Sequence, residues 1–428
     1  MSKFNRVQTH NQKIVGLLDI GSSKIVCLIV ALDGLSGETG RSGPRIIGIG
    51  HCWSKGIKAG VITDLDRAEE AVRACISQAE IMAGVTLEDV VVSVNCGRLK
   101  SRNFSASAEI EDGIVRDADV ARIFNDARLF VERDGRSLVH MNHVGYRLDG
   151  CASGRDPRGM AARVLTADLH AVSADEAPVR NLLMLIERCY LNVSGLVIAP
   201  YASGLGALSE DERRLGATCI DIGGGTTSFA VFIDGNMIFN DAIAVGSDHI
   251  TYDIARQMQT PLAEAERIKA LYGTLVHARS DEHDVFSYPL ADEEEGVCGQ
   301  ATMAQLAQII RPRVSSLLSL LNERFGRSGL SGQAVERFVI TGGGSQLVGM
   351  GEFAADALGS PVRIGRPVGA SSGVLELPQN VSSPAFSTVV GMLGACIDAG
   401  GELVTYKDRE VLFQGYLGRV GQWLKESL

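Results

Sequence analysis

Three short stretches carry residues whose types and spacing suit a polyphosphate: Asp19-Ile-Gly-Ser-Ser-Lys24, Asp221-Ile-Gly-Gly-Gly-Thr-Thr227 and Thr341-Gly-Gly-Gly-Ser345. Small residues let backbone N–H groups and hydroxyls approach phosphate oxygens closely. The candidates are Gly21, Ser22 and Ser23 in the first turn, and Gly223, Gly224, Gly225, Thr226 and Thr227 in the second. Gly342, Gly343, Gly344 and Ser345 form the third. One such loop alone would be an ordinary turn, but two could grip a ligand from opposite sides. Asp19 and Asp221 would then lie near the same phosphates, where bare carboxylates repel unless a cation intervenes. Mg²⁺, which keeps several waters and takes one or two carboxylates, suits that arrangement. Lys24 would offset phosphate charge, unless it is a plain surface lysine. No residue stands out as a catalytic acid, base or nucleophile.

The first two stretches are the turns of a distant internal echo. Residues 14–34 and 217–235 each read as an apolar strand, an Asp-Ile-Gly turn, a second apolar strand and an Asp-Gly turn. β-Branched runs flanking glycine-bearing turns predict two β-hairpins, and two such units suggest related domains facing each other. Between them, Leu65–Met82 has helical spacing, with Leu65, Ala68, Val72, Ile76 and Ala79 on one face. Val90–Val94, Leu169–Val172 and Val193–Ile198 read as strands and Ala177–Cys189 as a helix, while residues 86–163 look like an insertion. Further on, Asp248–Gln257 and Pro261–Leu271 read as helices, the latter with Thr260 as N-cap and Pro261 at its first position. Residues 278–296, with the acidic run Asp292–Glu295, read as an exposed loop. Thr302–Arg324 reads as a long helix tolerating Pro312, and Phe338–Ile340 as a strand leading into the third glycine stretch.

The chain's 428 residues allow more than one compact domain, and a net charge of −10 argues against a broad nucleic-acid footprint. Nine cysteines stand without CxxC pairs or zinc-like spacing, which points to reduced thiols in a cytosolic compartment. No apolar h-region follows the polar N-terminus, and no segment has the roughly 20 apolar residues of a membrane span. Any membrane contact is therefore expected to be peripheral.

The paired hairpins, Val339-Ile-Thr-Gly-Gly-Gly-Ser345 and their order resemble the actin/Hsp70/sugar-kinase superfamily. The resemblance implies an α/β fold with two related domains flanking a nucleotide cleft, binding ATP and Mg²⁺. It makes Asp19–Lys24 and Asp221–Thr227 the phosphate loops and Thr341–Ser345 the adenosine-binding segment. Glu266 and Lys269 match positions that contact ribose and adenine in bacterial actins; otherwise they are an exposed i,i+3 pair.

Within that superfamily the chain is most similar to the FtsA family of cell-division proteins. The similarity lies in Asp156-Pro-Arg-Gly-Met160, in Gly246-Ser-Asp-His-Ile-Thr-Tyr-Asp253 and in Ser387–Ile397, which resembles the returning helix of the first domain. It implies subdomain IA over 1–85 and 164–205, an inserted subdomain IC over 86–163, IIA over 206–245 and 330–384, and IIB over 246–329. The returning helix of IA would span 385–398. Two departures stand out. Ser228 replaces an aspartate common in relatives, and Ala199 stands where filament-forming relatives such as MreB carry a glutamate associated with the hydrolytic water. Tight binding with slow hydrolysis is the expectation.

After a linker over 399–415, Tyr416–Leu428 places Leu417, Val420, Leu424 and Leu428 on one helical arc, flanked by Tyr416 and Trp423. Arg419, Gln422, Lys425 and Glu426 occupy the other arc, the pattern of an amphipathic interface helix. The family ends in such a membrane-targeting helix. Glu410-Val-Leu-Phe-Gln-Gly415 looks like a picornaviral 3C protease site, read as an engineered insertion.

The FtsA resemblance implies self-assembly into filaments, binding of the FtsZ C-terminal tail, contact with lipid and with later divisome proteins, and a place at midcell on the cytoplasmic face of the inner membrane. Arg311, Arg313, Arg324 and Arg327 are candidates for the acidic FtsZ tail, or ordinary helix arginines. The alternatives are a small-molecule kinase of the same superfamily, for which no carboxylate base or acceptor pocket is evident, and a PilM-like pilus-assembly adaptor.

Overall fold

The computed structural model describes residues 13–32, 44–132, 135–153, 156–276, 279–291, 298–330, 337–368 and 377–398. Both Asp-Ile-Gly turns join antiparallel strands. Lys13–Ile20 pairs with Lys24–Leu32, and Ala217–Ile222 pairs with Thr227–Ile233. Each hairpin nucleates a five-stranded sheet of the same order. In the first, Arg45–Trp53 lies outside Lys24–Leu32, while Asp89–Val94 and then Asn192–Ile198 add in parallel on the other side. In the second, Asn236–Ile243, Phe338–Thr341 and Val362–Ile364 take the equivalent places. The echo read in the sequence is thus a repeated topology of two lobes.

Helix Leu65–Ala83 forms where expected and buries Ala68, Ala71, Val72, Cys75, Ile76 and Ala79. Asp64 caps it by accepting from the Arg67 amide, and Gly84 ends it in the left-handed region at φ 69°. On the opposite face of the first sheet, Ser387–Asp398 crosses Ala199–Ala207 at glycines. A Cβ on Gly391 would lie 1.7 Å from the Ala202 carbonyl oxygen, so only glycine permits this approach. The crossing brings Thr388 and Ser203 together beneath the cleft.

The insertion is an ordered α/β unit. Its sheet runs Lys100–Glu109, Val164–Asp175, Arg136–Leu148 and Cys151–Ala152, with helix Asp117–Val131 against it. Two assignments differ from the sequence reading. Strand Asp89–Val94 belongs to the first lobe's sheet, and Val164–Asp175, expected to return to that lobe, is central to the inserted sheet. Local propensity identifies a strand but not its partner.

The stretch read as an exposed loop also differs. Val285–Pro289 pairs with Cys298–Thr302, and alternation buries Phe286 and Tyr288; the acidic run 292–295 lies outside the described residues. Thr260 does not cap the next helix. Its hydroxyl donates to the Pro289 carbonyl at 2.6 Å, and Pro261 is the cap of Leu262–Tyr272. Met303–Arg327 forms around Pro312, with a capping box between Thr302 and Gln305. No described helix is long and apolar enough to cross a membrane. Residues 399–428, with the interface helix and the protease-like site, lie outside the described residues.

Candidate functional site

The two hairpin turns meet tip to tip between the lobes. A Cβ on Gly225 would lie 2.7 Å from the Ser22 hydroxyl, and one on Gly224 would lie 2.6 Å from the Ser23 Cβ. No side chain fits at either glycine with the turns this close. The Ser22 hydroxyl also accepts from the Gly60 amide at 2.9 Å, which fixes the first turn. Behind the tips lies a cleft of about 460 Å³ lined from both lobes.

At its floor, Asp19 accepts a 2.6 Å hydrogen bond from Ser93, on the adjacent parallel strand. Burial raises the Asp19 carboxyl above its ordinary pKa; the Ser93 bond and Lys24 oppose the rise, and Asp221 adds to it. Burial likewise lowers Lys24 to about 8, against the pull of Asp19 and Asp221. The Lys24 ammonium donates to the Ala385 carbonyl and sits 4.1 Å from the centre of the Phe386 ring. Lys24 is therefore no solvated surface lysine but a half-buried cation facing two carboxylates.

Asp221 accepts from Ser203 at 2.5 Å and Thr388 at 3.0 Å, so both crossing helices hold it. Gly342, at φ 86°, lets the third glycine stretch close over Asp221; a Cβ there would lie 2.2 Å from Asp221 Oδ1. Gly343 and Gly344 continue the same wall. On the far side Lys269, only 8% exposed, pairs with Glu266 at 2.6 Å and donates to Thr251 at 2.8 Å and Ser247 at 3.3 Å. That burial sets the pair apart from an ordinary surface i,i+3 contact, and both residues line the cleft.

Of the residues singled out from sequence, Asp19, Gly21, Ser22, Ser23, Lys24, Asp221, Gly223, Gly224, Gly225, Thr226, Glu266, Lys269 and Gly342–Gly344 line this one cleft. Thr227 and Ser345 do not. The Thr227 hydroxyl donates to the Val245 carbonyl at 2.7 Å and that of Ser345 to the Gly342 carbonyl at 2.7 Å, both inward structural bonds. Ala199 and Ser228, the two departures from relatives, both line the cleft.

All four arginines are engaged by groups of this chain. Arg311 donates to the Leu275 carbonyl, Arg313 grips Asp253 at 2.6 and 3.1 Å, Arg324 faces Asp241 at 3.4 Å, and Arg327 pairs with Glu323. Sequence reasoning missed Asn95, Ser93, Ser203 and Thr388. Ser93 had a signal, as the one hydroxyl inside the apolar run Val90–Val94. The others depend on contacts distant in sequence.

Among the described residues no group of three or more His, Cys, Asp or Glu could cage a metal by itself. Two carboxylates and three loops of donors instead suit an ion that shares its coordination with water and phosphate.

Duplicated sheets of one order, opposed hairpin turns and a glycine segment closing over the second aspartate define an actin-like fold with an inserted subdomain. The solved structure of the PilM-PilN type IV pilus biogenesis complex superposes on 91% of this chain and 100% of its own, with a TM-score of 0.64 and 16% identity, a likeness of fold. The profile described as cell division protein FtsA matches residues 218–391, and that of the SHS2 domain inserted in FtsA matches residues 96–173. The chain is 38% identical to the cell division protein FtsA of Agrobacterium fabrum over 440 aligned positions, covering 100% of this chain and 98% of that protein. It is 30% identical to the protein of the same name from Neisseria meningitidis, over 97% of this chain and 99% of that one. The chain belongs to the FtsA family of cell-division proteins.

Proposed function

We propose that this protein binds ATP with Mg²⁺ between its lobes, assembles with copies of itself and ties FtsZ filaments to the inner face of the cytoplasmic membrane at midcell. The observation that carries the nucleotide reading is the convergence of Asp19 and Asp221, from duplicated hairpins, on one cleft with Lys24. Backbone amides of the two hairpin turns would hold the phosphates, the third glycine stretch the adenosine, and Glu266 and Lys269 the ribose and base. Asp19 and Asp221 would hold Mg²⁺ through water. The ion supplies positive charge where two carboxylates and a polyphosphate meet.

Hydrolysis is expected to be slow, because Ala199 has no group to orient or deprotonate a water at the cleft wall. Membrane attachment rests on the pattern of Tyr416, Leu417, Val420, Trp423, Leu424 and Leu428. One short interface helix binds weakly, and a polymer multiplies it through avidity. The FtsZ tail is assigned to the unit around helix Met303–Arg327. There Arg313 would have to exchange Asp253 for the tail, whereas the more exposed Arg327 would exchange only its helical neighbour Glu323. Later division proteins are assigned to the insertion.

The test uses the full chain. Fluorescent ATP should bind in the presence of Mg²⁺ and lose affinity at least about tenfold in Asp221→Asn, a loss of about 1.4 kcal/mol. FtsZ should pellet with vesicles only when residues 416–428 are present. ATP binding indifferent to Asp221→Asn would overturn the nucleotide reading; FtsZ pelleting without the tail would overturn the tether.

A further inference from the structure

The insertion, although rooted in the first lobe, is tied to the edge strand of the second by side chains. Asn103 donates to the Ile238 carbonyl at 3.0 Å, Asn142 donates to the Met237 carbonyl at 3.2 Å, and the Asn240 amide donates to the Ser101 hydroxyl at 3.3 Å. Asn236–Ile243 is the outer strand of its sheet, so these three bonds occupy backbone groups that an edge leaves unpaired. Ser101, Asn103 and Asn142 act in place of a neighbouring strand.

Two features make this seam separable. An open pocket of about 1320 Å³ borders it, with Ser101 and Asn240 in the wall. In its wall Asn240 is 1% exposed, and neither end of its side-chain amide has a hydrogen-bond partner. A buried amide without partners opposes the closed arrangement and regains hydrogen bonds to water once the seam opens. Three bonds and a buried apolar cluster that holds Val139, Val172 and Met237 close the seam, while one side chain works against closure, the balance expected of an element with two accessible states.

The seam also reaches the cleft. Asn95 and Thr226 line both the cavity and the cleft. Asn95 begins the short segment that enters the insertion, whose second root is bound back where the Asp175 amide donates to the Gly97 carbonyl at 2.6 Å. Asn95 donates to the Thr226 hydroxyl at 2.7 Å, so separation of the lobes strains the three bonds and this one together.

We propose that this seam is a latch across which nucleotide occupancy governs the freedom of the insertion: closed lobes hold the insertion on strand Asn236–Ile243, and lobe opening releases it. The link to nucleotide rests on the ATP reading above; the latch itself does not.

Two variants pull in opposite directions. Asn240→Leu removes the unsatisfied amide and should hold the seam closed. It should increase the protection of residues 236–243 from hydrogen exchange in the nucleotide-free protein and slow release of fluorescent ATP about fivefold. The paired substitution Ser101→Ala with Asn103→Ala should lower that protection and speed release by a similar factor. Reciprocity requires that Mg·ATP raise protection across the seam. Unchanged protection in either folded variant, or a shift of the same sign in both, overturns the latch; should Asn240→Leu fail to fold, the Ser101/Asn103 variant decides alone. Protection that shifts as expected without any nucleotide binding would leave the latch standing and remove its link to ATP.

Discussion

The side-chain amide of Asn95 donates to the Thr226 hydroxyl at 2.7 Å, joining opposite lobes across 131 residues of sequence. This bond ties the end of the Asp19 sheet to the second glycine turn. It helps to set the distance between the jaws that would hold a polyphosphate.

Asn95→Ala should therefore loosen the cleft without emptying it. A neutral hydrogen bond of this kind contributes about 1 kcal/mol, so affinity for ATP should fall roughly three- to tenfold. Equilibrium titration with a fluorescent ATP checks this. An unchanged Kd would mean that the bond does not set the jaw separation.

Lys24 should make ATP binding depend on pH. Burial lowers its pKa to about 8 from the ordinary 10.5, and phosphate beside it would favour the charged form. Binding then takes up a proton, so affinity is full below about pH 8 and falls as pH rises through it. Between pH 7 and pH 9.5 the weakening should be about tenfold. In the nucleotide-free protein the depressed pKa works against folding: the cost builds as pH falls from 10.5 to about 8 and is complete below that. Lys24→Met should thus raise Tm at pH 7, weaken ATP binding and flatten its pH profile. Calorimetry and titration at the two pH values read all three effects.

Gly342 and Gly343 form a matched pair of controls for the third turn. A Cβ at Gly342 would strike Asp221 Oδ1 at 2.2 Å, and the residue sits at φ 86°. With ψ 170° this is a backbone region essentially reserved for glycine, costing an L-residue on the order of 1–3 kcal/mol. Gly342→Ala should lower Tm by several degrees and abolish ATP binding. Nothing lies within 4 Å of a Cβ at Gly343, so Gly343→Ala should fold with wild-type Tm. Thermal melts of the two proteins side by side provide the comparison.

Ala199 is the place to restore hydrolysis. It begins helix Ala199–Ala207 and lines the cleft. Ala199→Glu should raise phosphate release from ATP above a slow wild-type rate by on the order of 100-fold, the lower end of general-base contributions. Phosphate release under single-turnover conditions measures it. A wild-type rate already matching active actin-like ATPases would refute the reading of Ala199.

The sequence alone determined the two hairpins, the long helices and the residues able to face a phosphate, because those follow from local pattern. Alternating and continuous apolar runs set the strands, glycine set the turns, and short polar side chains advertised the donors. It also revealed the duplication, since Asp19 and Asp221 stand at the same place in matching units.

Tertiary structure decided what those units meet. Val164–Asp175 reads as a strand on its own, yet only its neighbours assign it to the insertion. Thr227 and Ser345 resemble their neighbours Thr226 and Gly344 in the sequence, but the backbone turns their hydroxyls inward. Asn95, Ser203 and Thr388 become part of the site through contacts between segments far apart in the chain. A hydrogen bond is fixed by the positions of both its atoms, and local pattern specifies only one of them.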